Sequence, residues 1–147
     1  MLLKLVTAVM LSLPLLATAQ ERFVTKLRLP TGQTVVVAEG DDEARSIGSF
    51  SVRLYEVAAT ADETTFFSAG LIRARDGMLQ KVLLADVDGD RQPDIVVLAR
   101  SAGTGGYQSA YAFAATKDRL SFIASVQGLR ANADPVAALR VAAKGDK

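Results

Sequence analysis

The chain has 147 residues, half of them hydrophobic, with 17 basic and 16 acidic side chains and neither Cys nor His. Without Cys there is no disulfide framework, and without His the commonest general base and the commonest metal ligand are missing. The near-balance of charge, with no basic cluster denser than Arg73 and Arg75, leaves no electrostatic footprint for nucleic acid or an anionic membrane.

In chain order, Lys4 precedes an apolar run over residues 5–16, and Ala17-Thr18-Ala19 supplies the small-x-small pattern of a signal-peptidase site. The run covers 12 residues, whereas a membrane-spanning helix needs roughly 20, which favours a secretory leader over an anchor. A lipid anchor of the lipobox type has no Cys to attach to. The expectation is a signal peptide over residues 1–19, cut after Ala19. It releases residues 20–147 as one β domain into the periplasm or beyond, with no membrane attachment after cleavage. With Lys4 removed, that domain carries 16 basic and 16 acidic residues.

Alternation of period two marks the strands. Phe23, Thr25, Leu27 and Leu29 share one face and Lys26 and Arg28 the other. Pro30-Thr31-Gly32-Gln33 turns the chain, and residues 34–38 return to complete a hairpin. Residues 39–49 read as a polar loop, residues 50–57 and 64–75 as strands, and Asp76-Gly77 as a two-residue hairpin turn into residues 78–85. Residues 95–100 are almost continuously apolar, the pattern of a central strand buried on both faces. Residues 107–115 alternate, with Tyr107, Ser109, Tyr111 and Phe113 on one face, and after a turn residues 120–127 form the last strand. Asp134 and Pro135 are placed to cap and start a short helix, followed by a frayed end over residues 144–147. The fold class expected is all-β, mainly antiparallel, with about eight strands in a sandwich or strongly curved sheet and a short C-terminal helix. No repeat of 20–50 residues is visible, which argues against a propeller or solenoid.

Two connections carry candidate function. In the first, Asp86, Asp88, Asp90 and Asp94 occupy positions 1, 3, 5 and 9 of an acidic loop, a spacing that suits calcium. An EF-hand loop would have Gly at position 6 and Glu at position 12, where this chain has Arg91 and Val97. The other reading is a turn whose carboxylates bond their own backbone N–H groups. The segment resembles single units of FG-GAP or VCBS-type repeats, so a calcium-stabilised binding or adhesion module is the alternative function. The second connection is Ser101-Ala102-Gly103-Thr104-Gly105-Gly106-Tyr107, which combines backbone freedom, hydroxyls and an aromatic anchor. It reads either as a binding loop or as a long hairpin loop whose Tyr packs at the strand start. Cradling phosphate would require a following helix, and a strand follows.

Residues 83–113, "LADVDGDRQPDIVV" and then "SAGTGGYQSAY", resemble the periplasmic inhibitors of invertebrate-type (i-type) lysozyme. The resemblance implies that the Gly-rich loop protrudes into the active-site cleft of a lysozyme. Thr104 and Tyr107 then lie near the catalytic carboxylates, while Ser101, Gly103, Gly105 and Gly106 shape the loop. The family pattern has Ser where Thr104 stands, so the hydroxyl is kept and a methyl added. The same resemblance implies a lysozyme partner, no cofactor and a possible homodimer. An enzyme is not expected, since the chain lacks His, Cys and a Ser in a nucleophile elbow.

Overall fold

The computed structural model describes residues 21–59 and 63–145. The leader read over residues 1–19 lies outside them. Eight strands follow in order: β1 (Val24–Arg28), β2 (Thr34–Glu39), β3 (Ile47–Tyr55), β4 (Phe67–Asp76), β5 (Met78–Ala85), β6 (Asp94–Arg100), β7 (Gln108–Ala115) and β8 (Leu120–Leu129). Helix α1 (Pro135–Gly145) closes the chain. The strands form two four-stranded antiparallel meanders, β1-β2-β3-β4 and β5-β6-β7-β8, stacked as a sandwich. Within each sheet, strands pair with their sequence neighbours, the arrangement that short turns permit most directly.

Alternation sets what each sheet buries. Val35, Val37, Phe50, Val52 and Leu54 from the first sheet meet Leu79, Ile95, Val97, Ala99, Tyr111 and Phe113 from the second. Phe50 sits edge-on to Tyr111 and Phe113, with ring centroids 5.0 and 6.0 Å away. Its quadrupole thereby joins the two sheets in the geometry aromatic rings prefer. The opposite face of the second sheet holds a smaller core, in which Val96, Ala110, Ala112 and Ala124 lie beneath Leu139 and Ala143 of α1. This accounts for the unbroken apolar run of β6. Ile95, Val97 and Ala99 face the sandwich, and Val96 and Leu98 face the helix. Alanines on β7 and β8 let α1 approach closely. The helix start follows the sequence signal: Asp134 Oδ1 accepts the N–H groups of Val136 and Ala137 at 3.0 and 3.2 Å, with Pro135 at the first helical position. Among the described residues no helix is long and apolar enough to cross a membrane.

The structure corrects several boundaries. β3 begins at Ile47, inside the expected polar loop, because residues 47–49 pair with residues 74–76 of β4. β4 begins at Phe67 rather than at residue 64, Tyr107 precedes β7 instead of opening it, and β8 runs on to Leu129. The larger correction concerns Asp76-Gly77, which is not a hairpin. β4 stays with β3, β5 joins β6, and the two residues carry the chain from one sheet to the other. Gly77 donates its N–H to Ser46 O at 2.7 Å and has a φ of +90°. A Cβ at this position would lie 1.9 Å from the carbonyl oxygen of Arg100. Glycine is required here by close backbone approach, a demand that local sequence does not distinguish from a turn signal.

The corner is held by Arg75, whose side chain is buried to 2% exposure. Its Nε donates to Ser49 O at 2.9 Å. Nη1 donates to Arg45 O at 2.9 Å and Gly77 O at 2.6 Å, and Nη2 to Ala44 O at 3.0 Å. Glu43 supplies the countercharge, 3.7 Å from Nη2. Hydrogen bonds from Ser49 and the nearby Arg75 and Arg22 hold the Glu43 carboxyl below its ordinary range. Beside it, Glu39 accepts the N–H of Leu79 at 2.7 Å and lies 3.3 Å from Arg45, tying the end of β2 to the start of β5. Replacing Gly77 by Ala is expected to lower unfolding free energy by at least about 2 kcal/mol, because positive φ and backbone overlap act together. Urea denaturation followed by far-UV circular dichroism checks this, and an unchanged midpoint would contradict the packing described.

Candidate functional site

The two candidate loops lie at opposite ends of β6, separated by its seven residues, or about 20 Å. They therefore cannot act as one site. The end that carries residues 101–107 also carries the Gly77 corner and the β8–α1 turn. The other end carries the acidic loop and the β1–β2 and β7–β8 turns. An open groove of about 570 Å³ lined by Thr31, Gln33, Glu56, Val57, Lys117 and Asp118 lies at this second end, remote from the Gly-rich loop.

The Gly-rich loop is closed at its base. Ser101 N–H donates to Tyr107 O at 2.9 Å, continuing the β6–β7 ladder by one bond, and Gly103 N–H donates to Ser101 Oγ at 3.3 Å. Ala102, Gly103, Thr104 and Gly105 are exposed at the tip. Tyr107 is 49% exposed, and its ring lies against Gly105, where an added Cβ would sit 2.2 Å from Cε2. Gly105 is therefore a shelf for the ring, and any side chain there displaces it. Gly106 turns the chain with a φ of +63°. Its outer surface meets Arg100, whose Nη2 would be 3.4 Å from an added Cβ, and Ala131 of the β8–α1 turn. Gln108 Nε2 donates to Ala131 O at 2.8 Å and fixes this flank. From beneath, the Gly77 corner packs against the backbone of Arg100 and Ser101. The result is a short polar projection with hydroxyls at Ser101 and Thr104, a half-exposed phenol at Tyr107, and a base held on two sides. All six loop residues singled out in the sequence, Ser101, Gly103, Thr104, Gly105, Gly106 and Tyr107, belong to it. Arg100 and Gln108 were not singled out. The one signal for them was the abrupt polar end of an apolar strand.

The acidic loop is a set of nested turns. Asp86 Oδ1 accepts Gly89 N–H at 2.8 Å and its Oδ2 accepts Arg91 N–H at 3.0 Å. Asp88 Oδ1 accepts Asp90 N–H at 3.0 Å, and Asp90 Oδ1 accepts Gln92 N–H at 2.7 Å. Asp94, buried at the start of β6, accepts Val87 N–H at 2.8 Å. Oxygens of Asp86, Asp88 and Asp94 converge within 4.8 Å of one another, while Asp90 stands outside the group. Of the four carboxylates read as calcium ligands, three are brought together. Burial raises the Asp94 pKa to about 6, reinforced by the charges of Asp88 and Asp90 and opposed by the Val87 and Asp88 N–H groups. Arg140 of α1 donates from Nε to Asp86 O at 2.9 Å, so the helix also braces this loop.

Comparison with known proteins fits this architecture. Residues 21–143 match the family model of the periplasmic lysozyme inhibitor of I-type lysozyme. Among solved structures, the periplasmic inhibitor of I-type lysozyme from Aeromonas hydrophila is 41% identical to this chain with a TM-score of 0.75. The match covers 80% of this chain and 98% of that one. The Aeromonas hydrophila inhibitor in complex with Meretrix lusoria lysozyme matches equally, at 41% identity and a TM-score of 0.75 over 80% of this chain and 95% of that one. No curated protein sequence matches. With the family model spanning nearly all of the described sandwich and helix, this chain belongs to the family of periplasmic inhibitors of I-type lysozyme.

Proposed function

We propose that this protein inhibits i-type lysozyme by inserting the loop of residues 101–107 into the enzyme's active-site cleft. The observation that carries the reading is the loop itself: a braced polar projection whose half-exposed Tyr107 is seated on Gly105. The solved complex of a 41% identical relative with Meretrix lusoria lysozyme supplies the class of partner. Lysozyme-type glycosidases place two carboxylates across the scissile bond. Hydroxyls of Thr104 and Tyr107 donating to those carboxylates form charge-assisted bonds, and the loop occupies the space a sugar would take. The chain performs no chemistry of its own in this mechanism and needs no cofactor. Residues 1–19 act as the leader, cut after Ala19, and the domain works in the periplasm.

The calcium-module reading is the alternative. The acidic loop supports a self-bonded turn more directly, because each of its four carboxylates already accepts backbone N–H groups of the same loop.

Titration of residues 20–147 into a lytic assay with i-type lysozyme tests the function, with and without a calcium chelator. Inhibition is expected in both conditions. Tyr107→Ala is expected to lose about 2 kcal/mol of binding, roughly 30-fold in the inhibition constant. Gly105→Ala should weaken inhibition in the same direction by unseating the ring. A folded Tyr107→Ala protein that inhibits like the wild type would remove Tyr107 from the site. The acidic loop has its own test. A raised Asp94 pKa means the folded state holds that proton more tightly than the unfolded state does. The resulting stability is full below about pH 4 and is lost as pH rises through about 6. Urea midpoints measured in chelator across this window should fall for the wild type and fall less for Asp94→Asn. Equal slopes would show that Asp94 does not titrate as described.

A further inference from the structure

The flank of the Gly-rich loop carries a cation to which the mechanism above gives no role. Arg100, the last residue of β6, is exposed. It points to the helix side of the second sheet, with Val96 and Leu98, and its Nη2 lies against Gly106. Among the described residues no carboxylate pairs with it, since the ion pairs there join Arg28 to Glu63, Arg45 to Glu39 and Arg75 to Glu43. Its backbone is nevertheless held in place. Arg100 pairs in register with Gln108, Gln108 is bonded to Ala131, and Gly106 fills the space between Arg100 and Ala131. A long charged side chain is thus kept beside the base of a loop whose tip is polar and uncharged.

We propose that Arg100 is a second recognition element for lysozyme, engaging a carboxylate on the rim of the cleft as the loop enters. This rests on the reading that the loop inserts. The position decides which part of the partner is met. Tyr107 and Thr104 reach the centre, while Arg100 stands at the loop's base and meets the edge. The charge decides the chemistry, because a guanidinium with free N–H edges selects a carboxylate, in two-pronged fashion where geometry allows. A rim charge acts mainly on encounter. It raises the association rate and makes that rate sensitive to salt, whereas a buried aromatic anchor slows dissociation. Arg100 therefore steers and registers the complex, and Tyr107 holds it.

Association and dissociation rates with i-type lysozyme, measured by surface plasmon resonance from about 0.02 to about 0.3 M salt, separate the two roles. Arg100→Gln is expected to slow association about three- to tenfold at low salt and to flatten its salt dependence, with a smaller change in dissociation. Arg100→Glu should slow it further, and Arg100→Lys should retain most of the salt dependence. Lys26→Gln, which removes one charge from the exposed face of β1, serves as the control for net charge and should leave both rates unchanged. Tyr107→Ala should mainly speed dissociation. If the wild-type protein binds and Arg100→Gln associates at the wild-type rate with the wild-type salt dependence, Arg100 has no role in recognition and the loop reading stands. An Arg100→Gln effect matched by Lys26→Gln would reduce it to net charge. If the wild-type protein does not bind, the loop reading and this inference fall together.

Discussion

A single buried guanidinium holds the end of the sandwich that carries the Gly-rich loop. A charge removed from water costs several kcal/mol unless its hydrogen-bonding capacity is met. Arg75 meets that demand with four backbone carbonyls drawn from the 40–46 loop, from β3 and from the Gly77 corner. Three of those carbonyls, on Ala44, Arg45 and Gly77, belong to segments with few apolar side chains to bury. Hydrophobic packing alone would leave them loose, and a directional set of bonds to one rigid fork does not. The order is then passed on by contact. The corner abuts Arg100 and Ser101, these form the base of the Gly-rich loop, and the loop's ladder bond to Tyr107 O sets where its tip begins.

This explains how an exposed loop with three glycines can present a defined shape. Glycine-rich connections lose conformational entropy on ordering, and a binding loop that orders only in the complex bears that cost at the moment of binding. Here ordering is prepared by the fold: the base is clamped by the corner on one side and by Gln108 and Ala131 on the other. Only the tip is left to adapt. The second sheet can serve as a platform because it is covered on both faces, by the first sheet and by α1.

How much of this was legible in the sequence depended on whether the determinant was local. Strand alternation, the Asp134-Pro135 helix start and the two-faced burial of β6 all follow from side-chain period and capping chemistry, and they stood as read. The Gly-rich segment was legible as a loop because its composition and its flanking strands are local too, while its projection was implied by the family resemblance alone. Asp76-Gly77 was misread because a corner and a hairpin both call for a glycine at positive φ. What separates them is whether β4 and β5 pair, a long-range choice. Arg73 and Arg75 stood out in the sequence only as the densest basic pair, yet both face inward on β4. Arg75 is buried, and Arg73 stacks 3.8 Å over the Phe122 ring, while Ile72 before them is 74% exposed and Ala74 between them is exposed too. Polarity pattern fails on such an edge strand, where inward charges are satisfied by carbonyls and rings that sequence does not display. Arg100 stayed hidden for the same reason, since its significance comes from Gly106 and Ala131 beside it.

The two chain ends leave the sandwich at different poles. Phe23 O accepts the N–H of Glu39, beside the Leu79 contact, so the N-terminal segment enters at the pole of the Gly-rich loop. α1 begins near that pole, at the turn that holds Ala131, and runs toward Asp86, which Arg140 contacts on the far side. A tether at the C-terminus would therefore display the loop away from its support, and a tether at the N-terminus would crowd it. Whether the domain is anchored on a chip, a bead or a fusion partner, the choice of terminus determines whether the Gly-rich loop faces the solution.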